Sequence, residues 1–226
     1  MFSFFIFIHI IAGFIALITL WMPLFFRKGG TYHRITGWIF TYSMFIISAT
    51  SIYLSLYRIS LDESQTTAQF SFSIFLIFIA ILSFSTATYG LRVLQFKKHA
   101  GKHRHALDWF IPILLFTSAT VMSIYGFLLG DPLLSWFPMI GIFLSISYML
   151  YWWRNPRFKN NWLIEHLTGM LSCGISTVTA FVVFGAPRIF GLNESAILLW
   201  FAPTIILVPL IIYFSIKYNK KAVKLN

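Results

Sequence analysis

Seven long apolar stretches, separated by short polar or charged connections, organise this chain. They run from Phe2 to Phe26, Thr31 to Tyr57, Gln69 to Phe96, Leu107 to Leu129, Leu133 to Trp153, Trp162 to Ala186 and Ser195 to Lys217. A hydrocarbon core of about 30 Å demands roughly 20 apolar residues in helix, because lipid offers backbone N–H and C=O groups no partners. The pattern therefore predicts an all-α, polytopic membrane helix bundle, a single integral membrane domain over residues 1–226 with no extramembrane module. Pro112, Pro203 and Pro209 fall inside apolar runs, where neighbouring helices satisfy the carbonyls they free, so kinks are expected and breaks are not. The first stretch has no basic residue before Arg27 and no small-residue cleavage site, and it reads as a retained helix rather than a signal peptide.

The charges then orient the bundle. Arg27, Lys28 and Arg34, then Arg92, Lys97, Lys98, Lys102 and Arg104, then Arg154, Arg157 and Lys159, and finally Lys217, Lys220, Lys221 and Lys224 fall in one alternate set of connections. The other set holds only Arg58 and Arg188 of the 17 Lys and Arg, together with Asp62, Glu63, Asp131 and Glu194. Cytoplasmic loops retain Lys and Arg, so the expected orientation has the amino terminus outside and the carboxyl terminus in the cytoplasm. Composition agrees with a lipid solvent: 58% of residues are hydrophobic and 10% charged, against about 25% charged in a soluble domain. The net charge of +11 is thereby assigned to topology and to contact with anionic lipid head groups, not to nucleic acid. The expected location is the cytoplasmic (inner) membrane, with a homo-oligomer or another membrane partner left open. Cys173 stands alone, which excludes an intramolecular disulfide, and beside Gly174 it reads as a small buried residue.

Six histidines carry the remaining chemistry. On this topology His33, His99, His103, His105 and His166 gather at the basic face with Asp108 and Glu165, while His9 lies about 10 Å into the first helix from the opposite side, at 1.5 Å per residue. Neutral imidazole with carboxylate suits zinc or non-haem iron. A metal site drawn from His33, His103, His105, Asp108, Glu165 and His166 is the first expectation. His99 and His103 share a face only if the third helix continues through Gly101. The structural alternatives are salt bridges of Asp108 with Arg104 and of Glu165 with Arg157, and for His9 a hydrogen bond to a hydroxyl of another helix, although an ionisable group within a membrane is a functional hypothesis by default.

Haem is the competing expectation, with His9, His33 and His166 as the cofactor-binding residues. A glycine that lets a porphyrin approach the helix follows each of them: Gly13, Gly37 and Gly169. The depths restrict the pairing, since His9 has no histidine partner at its own level. A b-type haem is expected near the basic face, between His33 and His166 or between one of them and a loop histidine.

The run His9-Ile-Ile-Ala-Gly13-Phe-Ile-Ala-Leu17, with Pro23, Lys28-Gly-Gly and His33-Arg-Ile-Thr-Gly37, resembles the start of an uncharacterised group of bacterial predicted membrane proteins. Trp162-Leu-Ile-Glu-His166-Leu-Thr-Gly-Met170 and Thr177-Val-Thr-Ala-Phe181 are similar to a later signature of small members from Bacteroidetes-type bacteria. That resemblance implies a polytopic bacterial membrane protein with His9, His33 and His166 in the motif-bearing segments, and supplies no reaction. In architecture the chain also resembles the adiponectin-receptor and alkaline-ceramidase membrane hydrolases, but the paired histidines of their last helix are absent from Ser195 to Lys217. Three readings follow: a metal site, in an enzyme acting on a lipid-like substrate; a b-type haem or quinone-linked electron carrier; and a transporter or membrane assembly factor without catalysis.

Overall fold

The computed structural model describes residues 1–61, 64–97, 103–154, 160–191 and 197–223, and these are helical apart from their connections. Ten helices follow in chain order: α1 (Phe2–Thr19), α2 (Met22–Phe25), α3 (Thr31–Leu61), α4 (Thr67–Gln95), α5 (Ala106–Leu129), α6 (Pro132–Trp136), α7 (Pro138–Trp153), α8 (Asn161–Ala180), α9 (Ala186–Phe190) and α10 (Leu198–Val223). They form seven segments long and apolar enough to cross a membrane, with α1 and α2, α6 and α7, and α8 and α9 each making one segment. His99, Gly101, Arg157 and Glu194 lie outside the described residues.

Proline decides where segments are interrupted, and position within the helix decides how. Pro112, Pro203 and Pro209 are accommodated inside α5 and α10, as expected. Pro23, Pro132 and Pro138 instead sit at the first or second position of α2, α6 and α7, where the missing N–H would have had no intrahelical acceptor. The first apolar stretch is consequently two helices rather than one. In the sixth segment a π-helical turn, Phe181–Gly185, joins α8 to α9.

The centre of the bundle is α4, which packs against α3, α5, α7 and α8. More than half of its most apolar stretch, 56%, is buried, against 11% for the last segment, so α4 is the core helix and α10 a peripheral one. Its sequence suits that place. Ser71, Ser73, Ala80, Ser83, Ser85, Thr86, Ala87 and Gly90 are buried small residues, the type that lets membrane helices approach closely when no hydrophobic drive separates them from lipid. Helix α8 comes close to α4: a Cβ added to Gly169 would lie 2.8 Å from the Cα of Gly90. Polar side chains in this core return to the helix itself: Thr86 donates to the carbonyl oxygens of Leu82 and Ser83, both at 3.0 Å.

Aromatic residues fill what the small residues leave. Phe75, Phe78, Tyr89, Leu115, Tyr148 and Trp152 form the main buried cluster between α4, α5 and α7. A second cluster of Ala16, Leu20, Phe40, Met44, Ala87 and Cys173 joins α1, α3, α4 and α8. The outer surface is the inverse of a soluble protein's: α1 exposes Phe4, Phe7, Phe14 and Ile18, which only a lipid solvent makes favourable.

Candidate functional site

Two groups of ionisable residues occupy the basic end of the bundle, and they are built differently. The first centres on Asp108 in the opening turn of α5, the end of a helix where negative charge is favoured. Its side chain is 1% exposed. Arg92, from the last turn of α4, grips both oxygens, Nε to Oδ1 at 2.6 Å and Nη2 to Oδ2 at 2.8 Å, the bidentate fork that planar guanidinium and carboxylate favour. Nε2 of His103 bonds the same Oδ2 at 2.7 Å, and Nδ1 of the half-exposed His105 stands 3.7 Å from it.

The surroundings hold His103 in place. Its ring lies between Phe96 and Trp152, with centroids 4.4 and 4.5 Å away. Its backbone N–H donates to Trp152 O at 2.9 Å, and its carbonyl accepts from Trp109 Nε1 at 2.8 Å. The connection before α5 is thus fastened to α7 through His103. Asp108 pairs with Arg92 rather than with the sequence-local Arg104. Both of its oxygens face a permanent cation, which makes this carboxylate a poor ligand for a metal.

The second group lies where α8 meets α4 and α3. Glu165 Oε2 accepts from the Tyr89 hydroxyl at 2.7 Å, and the Tyr89 ring stacks on Tyr148 with centroids 3.6 Å apart and planes 15° apart. Glu165 therefore turns to a buried tyrosine of α4, whereas the ion pair expected with Arg157 falls outside the described residues. The neighbouring His166 uses Nδ1 on Gly90 O at 2.8 Å. His33, opening α3, uses Nδ1 on Pro23 O at 3.0 Å. A carbonyl oxygen only accepts, so in the neutral rings the proton sits on Nδ1 and the lone pair on Nε2. Among the described residues neither Nε2 has a hydrogen-bond partner. His33, Lys97 and Lys28 lie within electrostatic reach of His166.

His9 repeats the arrangement at the other end. Its Nδ1 is 2.8 Å from Thr50 Oγ1, and the single Thr50 proton goes to Ile46 O at 2.7 Å with a longer contact to Ile47 O, so His9 donates. Thr50 is 17 residues beyond His33 on the continuous α3, roughly 26 Å at 1.5 Å per residue. His9 and His33 hence cannot share a cofactor, in keeping with their separate depths in the sequence. The expected hydroxyl partner for His9 is Thr50.

Of the six residues expected to form one metal site, the structure joins Asp108 with His103 and His105, and sets Glu165, His166 and His33 apart around α8. Among the described residues no three His, Cys, Asp or Glu side chains are placed to hold a metal ion. The glycines expected beside haem divide too. Gly13 and Gly37 have open space where a side chain would be, whereas Gly169 is pressed against Gly90 and belongs to helix packing. Sequence reasoning passed over Arg92, Tyr89 and Trp152. The signal was available in Tyr89 and Arg92, which stand one helical turn apart at the basic end of α4, the most buried of the membrane-length helices. Comparison with protein-family models, with characterised proteins and with solved structures yields no match to this chain.

Proposed function

We propose that this chain is a multi-pass protein of the bacterial inner membrane, its amino terminus outside and its carboxyl terminus cytoplasmic, which holds zinc or iron at the cytoplasmic boundary through Nε2 of His33 and His166. One observation carries the reading. Both rings are fixed by Nδ1 on a backbone carbonyl, at Pro23 and at Gly90, with Nε2 unengaged among the described residues, the outer-shell arrangement that orients metal-bound imidazoles and sets their tautomer. A metal bound there supplies Lewis-acid polarisation of a substrate or water. Glu165, adjacent to His166 and held by Tyr89, is the carboxylate positioned to accept a proton. The surrounding lipid favours an apolar, lipid-like substrate. Orientation rests on the division of basic residues between the two ends.

A second reading, a b-type haem or quinone-linked electron carrier at the same two rings, is favoured by the open face at Gly37, one turn along from His33. Purification in mild detergent separates the two. A Soret band that disappears in His33→Ala and His166→Ala supports haem; colourless protein with one zinc or iron per chain, lost in the same variants, supports the metal. Colourless, metal-free protein overturns both, and so does a metal or haem content that survives the double variant.

A further inference from the structure

The end of the bundle opposite the histidine groups carries an arginine that works against the charge bias of the chain. Among the described residues, Arg58 and Arg188 are the only Lys or Arg that lie there, and charge bias of this kind sets helix orientation. Arg58, in the last turn of α3, lines a cavity of about 540 Å³ between α1, α3 and α4, within the range of small-molecule sites, roughly 300 to 1,000 Å³.

The walls and polar groups are of the kind that hold an organic acid. Phe2, Tyr57 and Phe72 supply aromatic surface, with Phe2 stacked on Tyr57 at 4.8 Å. The guanidinium carbon of Arg58 lies 5.9 Å from the Phe2 centroid, and among the described residues it has no ion pair. Gln69 uses Oε1 to accept from Thr66 N–H at 3.0 Å, leaving its Nε2 as a further donor to the cavity. Gln65 donates through Nε2 to Arg58 O. The cavity is thus lined by a guanidinium, an amide donor and an aromatic wall.

We propose that this cavity binds a small organic carboxylate with an apolar, aromatic body. The carboxylate meets Arg58 and Gln69, and the body packs on Phe2, Tyr57 and Phe72. Planar guanidinium suits a carboxylate better than an ammonium does, and the site uses none of the histidines.

Mandelate is a suitable probe, with mandelamide as its uncharged counterpart, titrated calorimetrically against the full chain in nanodiscs of zwitterionic lipid and against empty nanodiscs. Mandelate is expected to bind and mandelamide to bind about tenfold more weakly or worse. Arg58→Gln should weaken mandelate by the same factor. Arg58→Lys, which keeps the charge and removes the fork, should also weaken it and serves if Arg58→Gln fails to fold. Arg188→Gln, removing a charge from the same end outside the cavity, should leave it unchanged. No mandelate binding at millimolar concentration, equal binding of mandelamide, equal affinity in Arg58→Gln or Arg58→Lys, or equal loss in Arg188→Gln overturns the proposal.

Discussion

Histidines at one end of this bundle are used in two opposite ways. His103 engages a buried carboxylate through Nε2 and is wedged between two aromatic rings. His33 and His166 engage backbone carbonyls through Nδ1 and keep Nε2 unengaged among the described residues. The first use closes a charge network already balanced by Arg92; the second orients a lone pair and leaves it available. Residue type is the same in both, so what separates a fastening from a ligand is which nitrogen the fold engages and whether the nearby carboxylate already faces a cation.

Substitutions test that contrast directly. Arg92→Leu should have the largest effect, because it leaves the Asp108 carboxylate buried without its main counter-charge. A loss of about 3 to 5 kcal/mol is expected, read from unfolding in detergent, with much of it recovered in the Arg92→Leu, Asp108→Leu double variant. A cost below about 1 kcal/mol would mean that Asp108 is not locked and is available for other chemistry.

His103→Ala should come next, at about 1.5 to 3 kcal/mol for a hydrogen bond to a charged group, while metal or haem content per chain stays at the wild-type level. His166→Ala reverses that pattern. Its stability should fall by only about 1 kcal/mol, the worth of one bond to Gly90 O, yet its bound cofactor should drop to background in elemental analysis or absorption. Smallest of all is His105→Ala. Its side chain is 50% exposed and 3.7 Å from Asp108, so a change within about 0.5 kcal/mol is expected in the same unfolding measurement. If His103→Ala and His166→Ala lose cofactor alike, the division into fastening and ligand collapses.

The seven membrane-length segments were legible because lipid imposes a length and a polarity that a linear pattern displays directly. The second segment, expected to end at Tyr57, continues to Leu61, since hydropathy marks where a helix can be buried and not where its hydrogen bonds stop. Pro112, Pro203 and Pro209 behave as their apolar flanks predict, while the interruption at Pro23 depends on the chain turning after Thr19. The site was legible in its ingredients and not in its partnerships. Spacing along one helix offered Arg104 to Asp108, but Arg92 reaches it from a different helix. Nothing along the chain distinguishes Gly169, clamped on Gly90, from Gly37, which faces open space. Those distinctions are made by α4 packing against four neighbours at once, a property of the assembled bundle.

The interruption of the first membrane-length segment reaches further than its own length. Pro23 cannot bond back to Thr19, so the chain re-forms as the four residues of α2, too few to occupy their own carbonyls. Lys28 caps Pro23 O and Leu24 O at 2.8 and 3.1 Å, and His33 takes Pro23 O from the next helix. Were the helix unbroken, that oxygen would face the amide of residue 27 and the imidazole would lose its anchor. A missing hydrogen on one ring nitrogen, that of proline, thereby dictates where the hydrogen resides on another, ten positions along the chain.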